Sequence, residues 1–145
     1  MWRINLAMAI GLGACHPAMM NDLEAMRGYI DDTRRETSRH LDAARAALTM
    51  EDMRAEMTRH RDDMTPMMFD IDTTMDGMIS HCDDAGLDDM RAMHGELDGE
   101  MTQHASTVDA IDDLEAAVVE TERHASTMMT TMEGMDGAME RMHCR

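Results

Sequence analysis

Four times the sequence places a histidine four residues after a glutamate: Glu36–His40, Glu56–His60, Glu100–His104 and Glu120–His124. Within each half the two units are 20 residues apart, and an offset of 64 carries the first half onto the second. The chain reads as a duplication. Residues four apart on a helix stack about 6 Å apart along its axis, so each glutamate is expected to touch its own histidine. If the chain turns near Thr49, His40 lies nine residues before the turn and His60 eleven after it. In an antiparallel hairpin that puts them within about 3 Å of one level. Asp113 gives the same counts for His104 and His124. The expected fold is all-α, an antiparallel up-down-up-down four-helix bundle of two related hairpins, with four histidines ringing one level.

Further matches support the duplication. Leu23-Glu24-Ala25-Met26-Arg27 aligns with Leu87-Asp88-Asp89-Met90-Arg91, and Met50-Glu51 with Leu114-Glu115, at the same offset. Farther on, Thr73-Thr74-Met75-Asp76-Gly77-Met78 resembles Thr130-Thr131-Met132-Glu133-Gly134-Met135 at an offset of 57, which reads as a deletion of two helical turns.

Apolar spacings of three and four place the helices. The first has the seam Leu23, Met26, Ile30, Thr33, Thr37, His40, Ala44 and Ala47, with a cap at Asn21 or Asp22 and an end at Leu48. Thr49 and Asp52 can form a capping box for the second, whose seam is Met50, Met53, Met57, His60, Met64, Met67, Ile71, Met75 and Met78. Pro66 should kink or divide it. Gly86 is expected to close this helix, and Asp84 or Gly86 to start the third, with seam Leu87, Met90, His94, Leu97, Met101, His104, Val108 and Ile111. The fourth carries Leu114, Val118, Thr121, Ala125, Met128, Met132, Met135, Met139 and Met142, with His124 one position beside the stripe.

At 145 residues the chain holds one domain with a modest core. A net charge of −17, from thirteen arginines and no lysine against 30 acidic residues, speaks against nucleic acid and against charge-driven binding to an anionic membrane. The start, Met1-Trp2-Arg3 and then the apolar run from Ile4 to Ala14, has the form of an export signal too short to span a bilayer. Leu12-Gly13-Ala14-Cys15 resembles a bacterial lipobox. That resemblance implies a signal peptide over 1–14, lipidation of Cys15, a tether over 15–21 and a bundle over 22–145 (hairpins 22–82 and 87–144), held outside the cytoplasm on the periplasmic side of a bacterial envelope. The lipid would be its only membrane contact. Cys82 and Cys144 stand in matching His-Cys dipeptides near the ends of the second and fourth helices. In an oxidising compartment they are expected to form a disulfide, the competing reading being a thiolate–imidazole metal site with His81 and His143.

After Cys15 there are twenty methionines and six leucines. Leucine has similar helix propensity and better defined packing, so the excess asks for a reason. Thioethers are soft ligands for Cu(I), and a methionine surface also adapts to partner proteins. Several methionines lie three or four residues from a histidine: Met57 and Met64 about His60, Met101 before His104, Met128 after His124, Met78 before His81 and Met139 before His143. The expected function is binding or buffering of a soft transition metal, chiefly copper, by His40, His60, His104 and His124 with Met57, Met64, Met101 and Met128. Glu36, Glu56, Glu100 and Glu120 would orient the imidazoles. A second cluster would hold His81, His143, Met78 and Met139. Zinc stays open as the ion, and non-covalent haem as a lesser alternative. A single Glu-x-x-His is present, Glu140–His143, where the diiron bundle signature needs one on each of two helices, and there is no Cys-x-x-Cys-His, HExxH, phosphate-binding glycine loop or nucleophile elbow, so the chain is not expected to be an enzyme. The main alternative is a scaffold or interaction lipoprotein with an extracytoplasmic protein partner, in which His60 and His104 point outward or pack singly.

Overall fold

The computed structural model describes residues 17–82, 84–142 and 144. Four helices follow in order: α1 Pro17–Ala46, α2 Met50–Met78, α3 Asp84–Ala110 and α4 Leu114–Arg141. Each packs against the next and α4 packs back on α1, closing an antiparallel four-helix bundle. The expected fold is the observed one. Cys15 and the whole of 1–16 lie outside the described residues.

Local chemistry sets the ends. α1 begins at Pro17, five residues before Asp22, so the end of the expected tether is helical. Proline suits a first turn, where its missing N–H has no helical partner to lose. α1 stops at Ala46, two residues before the expected end at Leu48, which is 85% exposed in the turn. Thr49 takes an extended conformation there, and its hydroxyl accepts from the Asp52 N–H at 3.1 Å. The same hydroxyl donates to the Asp52 carboxylate at 2.9 Å. The shorter aspartate accepts from the Leu48 N–H at 3.2 Å, one residue before the position a glutamate would reach in the usual box. Replacing Thr49 with alanine should cost about 1 kcal/mol of stability, and Thr49→Ser little. Equal denaturation midpoints for the alanine variant and the wild type would reject this cap.

α2 runs through Pro66 as one helix, with the Thr65 hydroxyl donating to the Arg61 carbonyl at 2.8 Å. Beyond the proline the buried position is Met68 rather than Met67. Gly86 lies inside the first turn of α3 and does not close α2. The two-turn deletion is also absent. α2 and α4 have 29 and 28 residues, and their ends, Met78 and Arg141, differ by 63. The Thr-Thr-Met-x-Gly-Met likeness is a chance recurrence in a chain rich in these residues.

The core has two apolar clusters of unequal length. The shorter, next to the α1–α2 and α3–α4 turns, holds Ala44, Met53, Met57, Val108 and Ala117. The longer fills the other end with Met26, Ile30, Met64, Ile71, Met75, Met90, Met128, Met132 and their neighbours. Cys82 and Cys144 are bonded to each other there and close a loop with a sequence separation of 62. A loop of this size restricts the unfolded chain by about 4 kcal/mol on a chain-entropy account. Between the clusters lies a buried polar layer of Thr37, His40, His60, His104, Thr121 and His124, all 0% exposed. No helix among the described residues is long and apolar enough to cross a membrane.

Candidate metal centre

One histidine from each helix meets in that layer. The His40 and His60 rings are parallel with centroids 3.9 Å apart, as are those of His104 and His124 at 4.0 Å. The two stacks meet edge to face at 5.5–6.1 Å. His124 is as buried as the others, because the inward face of α4 runs through Ala117, Thr121, His124 and Met128 rather than along the Val118 line. Thr37 and Thr121 donate their hydroxyls to Thr33 and Ala117 of their own helices, so they bring no free donor to the rings.

The glutamates do not touch the histidine of their own unit. Glu36 meets Nδ1 of His60 at 2.9 Å and Glu56 meets Nδ1 of His40 at 2.9 Å. In the second hairpin Glu100 meets His124 at 3.0 Å and Glu120 meets His104 at 3.3 Å. The expected pairing within each helix is therefore corrected to pairing across each hairpin. Glu36 and His60 stand thirteen and eleven residues from Thr49, a difference of about 3 Å along the bundle, whereas its own histidine is about 6 Å away. The long glutamate side chain spans the gap between helices.

Arginines hold the carboxylates. Arg59 donates to Glu56 at 2.6 Å, to Glu36 at 3.1 Å and to Asp63 at 2.7 Å. Its counterpart at the offset of 64, Arg123, donates to Glu120 at 2.8 Å and to Glu100 at 2.7 Å. Arg39 bonds Glu36 and Asp63. These residues complete the site and were not singled out from the sequence. The signal was present: three of the four units read Glu-x-x-Arg-His, the fourth having Gln103.

Burial sets the charge state of the layer. It drives His40 down to about 2, with the other three rings adding to the effect, and His60 down to about 3. His104 and His124 fall to about 4, where Glu120 and Glu100 partly counter burial. All four rings are neutral at neutral pH. In the first hairpin burial raises Glu36 and pushes Glu56 up to about 7 against the pull of Arg39. In the second, burial raises Glu100, but Arg123 and His124 bring it below the usual range. Hydrogen bonding from Arg123 does the same for Glu120.

A neutral ring that donates from Nδ1 to a carboxylate leaves a lone pair on Nε2. The Nε2 atoms of His60 and His124 are buried with no hydrogen-bond partner, and those of His40 and His104 lie 3.2 Å apart. When Glu56 is a carboxylic acid it can donate to His40 Nδ1, so that His40 Nε2–H donates to His104. When Glu56 is ionised, two lone pairs face each other there. Among the described residues, no three His, Cys, Asp or Glu side chains stand so that they could hold a metal ion as they are. No family model, curated protein or solved structure matches this chain.

The other expected site residues are dispersed. Met57 lies in the shorter cluster, Met64 and Met128 in the longer one, and Met101 packs partly buried against the longer one. Met78 and Met139 are buried in the same core cluster as Cys82, His81 is half-buried, and His143 lies outside the described residues. With their sulfurs joined, Cys82 and Cys144 offer no thiolate. His60 and His104 neither point outward nor pack singly, contrary to the scaffold alternative. The rings stack on one another in pairs and His40 and His104 face each other at 3.2 Å, so the layer holds no porphyrin-sized gap between facing imidazoles.

Proposed function

We propose that this bundle binds one transition-metal ion, copper in preference to zinc, through the Nε2 atoms of His40, His60, His104 and His124. The observation that carries the reading is the pair of orphaned ring nitrogens at His60 and His124, set in a layer of four neutral imidazoles. Buried nitrogens left without a donor cost about 1–3 kcal/mol each, and a cation would use both. The His40–His104 separation of 3.2 Å also suits one edge of a tetrahedron, which is about 3.3 Å for bonds of about 2.0 Å. Binding would draw the His60 and His124 rings onto the same point. Each glutamate would then fix a ring tautomer and raise its donor strength, and the arginines would hold the glutamates.

Four imidazoles suit zinc and copper alike, and the many thioethers near the layer favour copper. With every position filled by protein, the chemistry is that of holding or buffering an ion rather than of a reaction at it. An extracytoplasmic, lipid-anchored setting is part of the proposal and rests on residues 1–15 alone. Titration of the metal-free protein with Cu(I), and separately with Zn²⁺, against a competing chelator is the test. One tightly bound ion per chain, lost in His60→Leu and His104→Leu, is expected. Only weak binding that survives both substitutions would reject the site.

A further inference from the structure

The histidine layer is flanked by two clefts related by the duplication. One, of about 340 Å³ between α2 and α3, is lined by Arg61, Thr65, Thr102 and Ala105 among others. The other, between α1 and α4, is lined by Ala125, Met129, Ser38 and Leu41 at the corresponding positions, an offset of 64 away. The two differ in chemistry. Met64, Met68 and Met101 line the α2/α3 cleft, with Asp98 beside them. In the α1/α4 cleft Met129 is the one lining thioether, Thr37 stands at the position equivalent to Met101, and the Arg45–Glu122 ion pair crosses between the helices at 2.8 Å.

From this difference we infer that Met64, Met68 and Met101 form a thioether site for a soft monovalent cation, Cu(I) or its analogue Ag(I), through which the ion reaches the imidazoles. Met64 lies one helical turn beyond His60, and Met101 one turn before His104, so the cleft adjoins the layer on the two helices that frame it. Met64 and Met68 are 1% and 8% exposed and Met101 is half-buried, a gradient from solvent to core within one donor set. Three neutral sulfurs suit a monovalent soft ion and discriminate against hard cations. They bind less firmly than four imidazoles backed by carboxylates, as an entry site should. No electron transfer is involved: the ion exchanges solvent or buffer ligands for sulfur, and sulfur for nitrogen. The passage role rests on the proposed function, whereas the thioether site is tested independently of it.

The test is Ag(I) titration of the full chain carrying ¹³C-methyl methionine, with histidine ¹⁵N signals followed in parallel. The methyl signals of Met64, Met68 and Met101 should move together and saturate, with that of Met129 unmoved. Shifts at these three no larger than at Met129 would overturn the site, whatever the imidazoles do. Unmoved histidine signals beside shifted methyls would overturn the passage role while leaving the thioether site in place, and the metal reading of the layer stands or falls separately on the Cu(I) and Zn²⁺ titrations. In stopped-flow loading with Cu(I), Met101→Leu, a change of similar volume, should slow filling of the imidazoles about tenfold with final affinity unchanged. Loading at the wild-type rate would overturn the passage role alone.

Discussion

Saturating copper should raise the melting temperature of the metal-free protein by roughly 15 °C. An ion bound only by the folded chain, at a free concentration a thousand times its dissociation constant, adds about 4 kcal/mol of stability. In a domain of this size each kcal/mol is worth roughly 4 °C. The effect is large because the four donors come from four helices, so the ion binds only when both hairpins are docked. His60→Leu should abolish the gain. The same substitution should change the stability of the metal-free protein by no more than about 1 kcal/mol, because removing the orphaned Nε2 offsets the lost Nδ1 bond to Glu36, which keeps Arg39 and Arg59. Stability given up at a place where function needs it marks such a site. Calorimetric melting of both proteins, with and without metal and after chelation, decides the matter. Equal gains in the variant and the wild type would mean that the metal acts elsewhere.

Acidification should unfold the metal-free protein well above the pH at which ordinary carboxylates are protonated. The four buried histidines have folded pKa values of about 2, 3, 4 and 4, below the ordinary 6.5. Their contribution is therefore fully present above 6.5 and is lost as pH falls, because the unfolded chain takes up four protons that the folded chain refuses. Two glutamates oppose this. Glu56, raised to about 7, and Glu36, also raised, take up protons in the folded state before the unfolded one. The four histidines outweigh the two glutamates, so unfolding takes up protons on balance and stability falls by several kcal/mol, to order of magnitude about 5, between pH 6.5 and 4.5. That rivals the whole stability of a typical domain, about 5–15 kcal/mol. Glu100 and Glu120, both lowered, add loss of the same sign below their ordinary range. Helical circular dichroism against pH should show the transition near pH 5, and bound metal should shift it downward. A metal-free protein still folded and cooperative at pH 4 would contradict the account.

The fold was legible because period and offset are properties of the chain alone. Apolar residues spaced by three and four define each helix, and the 64-residue offset brings four histidines to one level whichever side chains surround them. Thr49 announced its cap in the same way, through a local hydrogen bond. Legibility ended where a side chain could choose between partners. A glutamate four residues before a histidine can bond along its helix or across the hairpin, and only the packed distance between helices favours the crossing. The dominant methionine stripe of α4 placed His124 at its edge. The direction in which α4 faces the other three helices decided that Ala117, Thr121 and His124 turn inward.

The sequence by itself therefore determined four amphipathic helices, their antiparallel order and the level at which the imidazoles collect, since these follow from local geometry and counting. Tertiary structure alone decided which carboxylate holds which ring, that Arg59 and Arg123 clamp the carboxylates, and that two ring nitrogens are buried without partners. Those outcomes depend on the few ångströms separating neighbouring helices and on the exclusion of water between them, neither of which is written in any single stretch of the chain.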